Sequence, residues 1–150
     1  MSDSQNSSDS QDLYQEVIID HYRNPRNARK PDQANRHADG LNSLCGDKLS
    51  VYVEIENDVV KDIGFIGTGC AIFIAAASIM TESVKLKTIE EAKALSERFH
   101  QLVDNSREPQ PQPATMEELS VFSGVRRYPA RVKCATLPWK TLEKAVVSSQ

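Results

Sequence analysis

The side chains in this sequence best suited to chemistry are three cysteines, Cys45, Cys70 and Cys134, and each stands in a context that favours a thiolate. Cys45 opens Cys45-Gly46-Asp47. Cys70 closes the loop Gly67-Thr68-Gly69 at an expected helix start, and Cys134 follows Arg131-Val132-Lys133 at a second expected helix start. Helix-terminal amide dipoles and neighbouring cations depress a thiol pKa, because both favour the anion. On this reading all three thiols are activated or coordinated.

An odd number of cysteines cannot close entirely into internal disulfides, and their wide spacing does not form the framework of a small secreted scaffold. Three thiolates do suit a metal that takes four ligands, tetrahedral zinc or an iron–sulfur unit. Asp47 is the candidate fourth donor, since an extended stretch from Cys45 projects both side chains to one side. The alternative reading is three small, buried apolar residues. Nucleotide chemistry is discarded: Gly67-Thr68-Gly69 lacks the further glycine of a dinucleotide loop and the Gly-Lys-Ser/Thr of a phosphate loop. No motif ties His21, His37 or His100 to a cysteine as a catalytic base, although His37, shortly before Cys45, is a spare candidate ligand.

The chain that must hold these residues has 150 of them, 39% apolar and 26% charged, enough for one soluble globular domain with its own core. A net charge of −3 argues against a general nucleic-acid binder. Arg126, Arg127, Arg131 and Lys133 nevertheless form a local basic cluster beside Cys134, suited to an acidic partner surface. Residues 1–11 are polar and lack the apolar stretch of a signal peptide, so they read as a disordered tail before a single domain over 12–150. The longest apolar run, Ala71 to Met80, is too short to span a bilayer. No membrane span and a cytoplasmic location are expected.

Leu13, Tyr14, Val17, Ile18 and Tyr22 share one face of a first helix that Asn24-Pro25 stops. Arg26 to Asp39 is polar and reads as a loop. Leu49, Val51, Val53 and Ile55 then alternate with polar residues as in a half-buried strand, and Asn57-Asp58 turns the chain into a second, antiparallel strand from Val59 to Ile66. Cys70 to Leu86 predicts a buried helix. Thr88 with Glu91 is a capping-box pattern before a helix to about Val103, and Thr115 with Glu118 repeats it before a short helix that Gly124 ends. The Pro109-Gln110-Pro111-Gln112-Pro113 stretch between them reads as an extended linker. A last helix is expected from about Cys134 to Val147, with Pro138 in its first turn. The fold class is α+β, an antiparallel sheet with helices packed on one face.

Several ordered motifs carry a resemblance over roughly Leu13 to Ala145. They are Leu13-Tyr14-x-x-Val17-Ile18-x-Asp20-His21-Tyr22-x-Asn24-Pro25-x-Asn27, Cys45-Gly46-Asp47, Gly67-x-Gly69-Cys70-Ala71-Ile72 and Arg131-x-Lys133-Cys134-Ala135-x-Leu137-x-Trp139. With them the chain resembles the NifU N-terminal/IscU family of iron–sulfur assembly proteins, and within it the SufU branch. Lys133 stands where the scaffold branch usually carries a histidine, and the segment from about Arg98 to Ser123 resembles the insertion that marks SufU proteins. The resemblance implies a three-stranded antiparallel sheet and a metal held by Cys45, Asp47, Cys70 and Cys134. In the SufU branch that metal is zinc; on the scaffolds the same residues carry a nascent iron–sulfur cluster. It also implies sulfur transfer from a SufS-type cysteine desulfurase to Cys45, contact with other SUF assembly proteins, and a partner face over Arg126, Arg127, Arg131 and Lys133. A cluster scaffold and a structural zinc module without sulfur chemistry are the alternatives. Two departures stand out: Asn42-Ser43-Leu44-Cys45 where the family has Asn-Pro-x-Cys, and Phe73 and Ala76 where serines are usual.

Overall fold

The computed structural model describes residues 15–104, 106 and 119–147. Residues 1–11, Leu13, Tyr14, the proline-rich stretch 109–113 and the Thr115–Glu118 capping pattern lie outside the described residues.

The alternation of apolar and polar residues after Cys45 produces a strand, β2, Asp47–Glu56, whose odd-numbered residues are buried from Asp47 to Ile55. Asn57 and Asp58 both take positive φ, 54° and 63°, the conformation of the two-residue turn that matches strand twist. They lead into β3, Val59–Thr68, which pairs antiparallel with β2. A third strand, β1, Arg36–Asn42, pairs antiparallel on the other side of β2, so the order is β1-β2-β3. This strand corrects the loop expected over Arg26–Asp39. Its inward positions are Arg36, Ala38, Gly40 and Asn42, which carry no large apolar side chain, so the hydrophobic alternation that reveals β2 is missing. Gly40 is required by packing: a β-carbon there would fall on Thr141 Oγ1 and crowd Leu137 and Leu49.

Helices cover one face of the sheet. They are α1, Glu16–Arg23; α2, Ala71–Val84; α3, Ile89–Val103; a 3-10 helix, Leu119–Arg127; and α4, Pro129–Val147. Apolar almost throughout, α2 is central and packs against α1, α4 and β3, while α4 lies across β1 and β2. Phe99, Phe122 and Trp139 join α3, the 3-10 helix and α4 through an aromatic cluster with ring centroids 5.3 and 5.5 Å apart. The expected capping box is present: Thr88 Oγ1 accepts the Glu91 amide at 3.0 Å and Glu91 Oε1 accepts the Thr88 amide at 2.9 Å. No helix of the described residues is long and apolar enough to cross a membrane.

The segment after α1 is fastened by buried polar groups. His21 Nδ1 and Ser78 Oγ share a hydrogen bond of 2.7 Å, the Arg26 amide donates to Ser78 Oγ at 2.8 Å, and Asn27 Nδ2 donates to Thr81 Oγ1 at 3.0 Å. His21 and Asn27 of the first motif therefore serve the fold.

Two helix boundaries differ from expectation. The last helix begins at Pro129, since proline's fixed φ suits a first helical position. Pro138 is then well inside α4, and the amide it lacks is the one that would reach back to the Cys134 carbonyl. Gly124 lies within the 3-10 helix and does not end it; Arg126 and Arg127 complete that helix.

Two measurements check this account. Gly40→Ala should destabilise by about 1–3 kcal/mol through overpacking against α4, and Thr88→Ala by about 1 kcal/mol through loss of the cap, both read from urea unfolding midpoints. The Asp62 carboxyl is raised by partial burial, yet Arg29, the Ile63 amide and Lys85 outweigh this and hold it below its ordinary value. A depressed folded pKa stabilises fully above the unfolded value and is lost as pH falls through the folded one. Asp62→Asn should therefore lower the midpoint at pH about 7, and the difference should shrink below pH about 4.

Candidate metal centre

The centre is assembled by three local devices. The first is the connection from β1 to β2, residues 43–46, in which the Cys45 and Gly46 amides donate to the Asn42 carbonyl at 3.2 and 2.9 Å. Gly46 has φ of 75°, a conformation open to glycine at no steric cost. Cys45 therefore stands on a turn just ahead of β2, and it is exposed. The second is the alternation of β2, which puts Asp47 on the buried face with Leu49 and Val51. Asp47 is fully buried at the first position of that strand.

The third is the pair of helices. Cys70 is the N-cap of α2, as expected, and its amide donates to Asp47 Oδ1 at 3.1 Å. The other carboxylate oxygen, Oδ2, is buried and has no hydrogen-bond partner among the described residues. Cys134 is buried in α4 beyond its first turn, and its Sγ contacts the Ala130 carbonyl at 3.8 Å. The expectation of a helix-start Cys134 with a depressed pKa is thereby corrected. Burial pushes this thiol far above the ordinary cysteine range, and the adjacent Asp47 carboxylate, Cys70 and Cys45 push it the same way. Alone, it is a protonated thiol facing other sulfurs.

Donor atoms of Cys45, Asp47 and Cys134 all lie within 4.8 Å of one another. Cys70 sits at their edge, half-buried, bonded to Asp47 through its amide and interacting with the Cys134 thiol. Three of the four expected ligands thus bring their donor atoms together, and Cys70 stands beside that group without joining it. Two sulfurs and a buried carboxylate oxygen, with the Cys70 sulfur alongside, are donors of the kinds tetrahedral zinc takes.

The histidines are elsewhere. His37 lies on the outer face of the sheet, stacked on Tyr52 at 5.0 Å and bonded to Asp39 at 2.9 Å, so it does not join the cluster. His100 approaches Glu143 at 3.3 Å between α3 and α4. In the basic run, Arg127 and Lys133 are exposed while Arg126 and Arg131 are half-buried, and Lys133 directly precedes Cys134.

One feature near the centre escaped the sequence reading. Leu41, Leu44 and Ile66 are 66%, 82% and 52% exposed; Leu44 directly precedes Cys45, and Leu41 and Ile66 line one groove. A groove of about 500 Å³ runs between Leu41 and Ile66 over Lys48 and Thr68. Exposed leucine and isoleucine are visible in a sequence only as apolar residues; which face they occupy follows from strand register.

The geometry has counterparts among known proteins. The zinc-dependent sulfurtransferase SufU of Bacillus subtilis is 38% identical over 138 residues, covering 92% of each chain. An iron–sulfur cluster assembly scaffold protein IscU of Thermotoga maritima is 36% identical over 134 residues, 89% of this chain and 92% of its own. Among solved structures, a candidate iron–sulfur cluster assembly scaffold of the SUF system from Fervidobacterium islandicum superposes with a TM-score of 0.83 at 33% identity, covering 91% of this chain and 98% of that one. The NifU-like N terminal domain profile matches residues 13–147. With the cysteines, the aspartate and the three-stranded fold all in place, the chain belongs to the NifU-like N-terminal domain family.

Proposed function

We propose that this protein is a zinc-bound sulfur-transfer component of iron–sulfur cluster assembly, in which Cys45, Asp47, Cys70 and Cys134 hold zinc and Cys45 accepts sulfur from a SufS-type cysteine desulfurase. The observation that carries the proposal is the buried Asp47 carboxylate with one oxygen unpartnered, within 4.8 Å of a buried and an exposed thiol. An uncompensated buried carboxylate is costly, and a cation relieves that cost. The similarity to a protein named as a zinc-dependent sulfurtransferase supports the choice of metal and chemistry.

Bound zinc would keep the clustered thiols deprotonated and shielded from oxidation. The chain's own residues divide the remaining work. Cys70 and Cys134 are held by packed helices, whereas Cys45 rides an exposed turn beside Gly46 and can leave the cluster at least cost. The Cys45 thiolate attacks the outer sulfur of the desulfurase persulfide. A sulfur–sulfur bond forms at Cys45 Sγ, the bond within the donor persulfide breaks, and the donor cysteine departs as a thiolate with the electron pair. No external oxidant or reductant is consumed. Asp47, buried and tied to the Cys70 amide, stays in place throughout.

The exposed Leu41, Leu44 and Ile66 beside the acceptor, with Arg126, Arg127, Arg131 and Lys133 near Cys134, supply an apolar centre and a charged rim for the desulfurase. The IscU relatives favour a second reading, a scaffold on which a cluster is built, and metal content separates the two.

Protein purified without air should carry about one zinc per chain, as a single four-ligand site requires. Cys134→Ser should lower both zinc content and melting temperature. Zinc-free wild type whose stability ignores strong chelation would sink the zinc site, and an iron chromophore in its place would select the scaffold. In a transfer assay, wild type should raise cysteine turnover by a SufS-type desulfurase, and mass spectrometry should place the added sulfur on Cys45. Cys45→Ser should retain part of the zinc and lose that sulfur; sulfur found chiefly on Cys70 or Cys134 would refute the acceptor. Leu44→Ser and Arg127→Glu should each reduce the stimulation, the second more at low than at high salt.

A further inference from the structure

We propose that Asn42 is a positioning residue for the metal: its side-chain amide is the donor that holds Asp47 Oδ2, so that the carboxylate is fixed through both oxygens while it carries the cation. The proposal rests on the zinc reading above. It starts from atoms that the fold leaves without partners. Among the described residues three buried side-chain polar atoms have no hydrogen-bond partner: Trp139 Nε1, Asn42 Nδ2 and Asp47 Oδ2. The last two are a donor and an acceptor, and their residues are directly opposite each other, Asn42 at the end of β1 and Asp47 at the start of β2.

Opposed residues of antiparallel strands project to one face with β-carbons about 4.5–5.5 Å apart, a gap that two short polar side chains span. Amide and carboxylate are not bonded to each other as they stand. Rotation about their terminal torsions, which are broad for both side chains, brings them together. The backbone beneath is already held: the Asn42 carbonyl accepts the Cys45 and Gly46 amides, and Asp47 Oδ1 accepts the Cys70 amide. The Cys134 thiol also hydrogen-bonds to the carboxylate, but a cysteine binds a metal as the thiolate and then has no proton to donate. In the loaded centre Asn42 is therefore the donor at hand for Oδ2, which can accept an N–H on one lone pair and give the other to the cation. Held at Oδ1 by a backbone amide and at Oδ2 by Asn42, Asp47 keeps its orientation when Cys45 leaves.

The test is zinc release to a competing chelator, followed optically on protein purified with its metal. Asn42→Leu, similar in size and without a donor, should release zinc about tenfold faster than wild type, the lower range for groups that orient a metal ligand. Asn42→Gln, which keeps the amide, should stay within about twofold. A packing role would speed release in any background, whereas a donor to the carboxylate adds nothing once Asp47→Ala has removed the acceptor. Asn42→Ala replaces Asn42→Leu if circular dichroism shows that variant unfolded. Release from Asn42→Leu at the wild-type rate, or equal acceleration with and without Asp47→Ala, overturns the role of Asn42 and leaves the zinc site standing. Should Asp47→Ala retain no zinc, the contrast between glutamine and leucine decides, and equal acceleration by both overturns the role. Wild type that takes up no zinc overturns both.

Discussion

Everything at the centre depends on one buried charge. Asp47 lies on the core face of β2, where the strand's alternation calls for an apolar side chain, and only one of its carboxylate oxygens has a hydrogen-bond donor. Burial of an anion so poorly compensated costs several kcal/mol in ordinary protein surroundings. The fold accepts that cost at the single position where thiols from a turn and two helices converge. On the zinc reading part of the affinity would be stored in the fold, because Asp47 and Cys134 are already close together and buried while Cys45 remains exposed.

The other elements follow from holding that carboxylate. The Cys70 N-cap brings a helix-terminal amide to Oδ1, Gly69 lets the backbone pass close to the carboxylate, and α4 carries Cys134 across β1 and β2. Gly40 allows α4 to lie directly on the sheet. Far from the centre, the His21–Ser78 bond and the Asn27–Thr81 bond fasten the chain between α1 and β1 against α2, which fixes the helix that bears Cys70. Motif residues that look chemical in the sequence thus divide into those that meet the donors and those that hold their supports still.

The three cysteines differ in burial and in backbone support. Cys134 is buried in a helix whose proline removes one amide from the ladder behind it, Cys70 is half-buried at a helix start, and Cys45 is exposed on a glycine turn. On the proposed reading that gradient would suit an acceptor, with Cys45 the ligand best able to reach a partner. Leu44, directly before Cys45, and Leu41 and Ile66 at outward strand positions are the exposed apolar side chains of this end of the sheet.

Much of this was legible in the sequence. The alternation of Leu49 to Ile55, the Asn57-Asp58 turn, the capping box at Thr88 and the helix start at Cys70 are local signals, and each produced the expected element. Cys45, Asp47, Cys70 and Cys134 stand out in the sequence as candidate ligands, and the structure brings donor atoms of Cys45, Asp47 and Cys134 together. What the sequence could not supply came from contacts between distant segments. β1 looks like a loop in the sequence because its inward residues are small or polar, and pairing with β2 and cover by α4 make it a strand. Cys134 was read as an activated thiol at a helix start, whereas the helix begins at Pro129 and burial leaves the thiol protonated when alone. The burial of Asp47 and the unpartnered state of its Oδ2 among the described residues are invisible for the same reason. Local sequence determines which conformations a segment prefers, but burial and the presence or absence of a hydrogen-bond partner are decided by what the rest of the chain brings alongside.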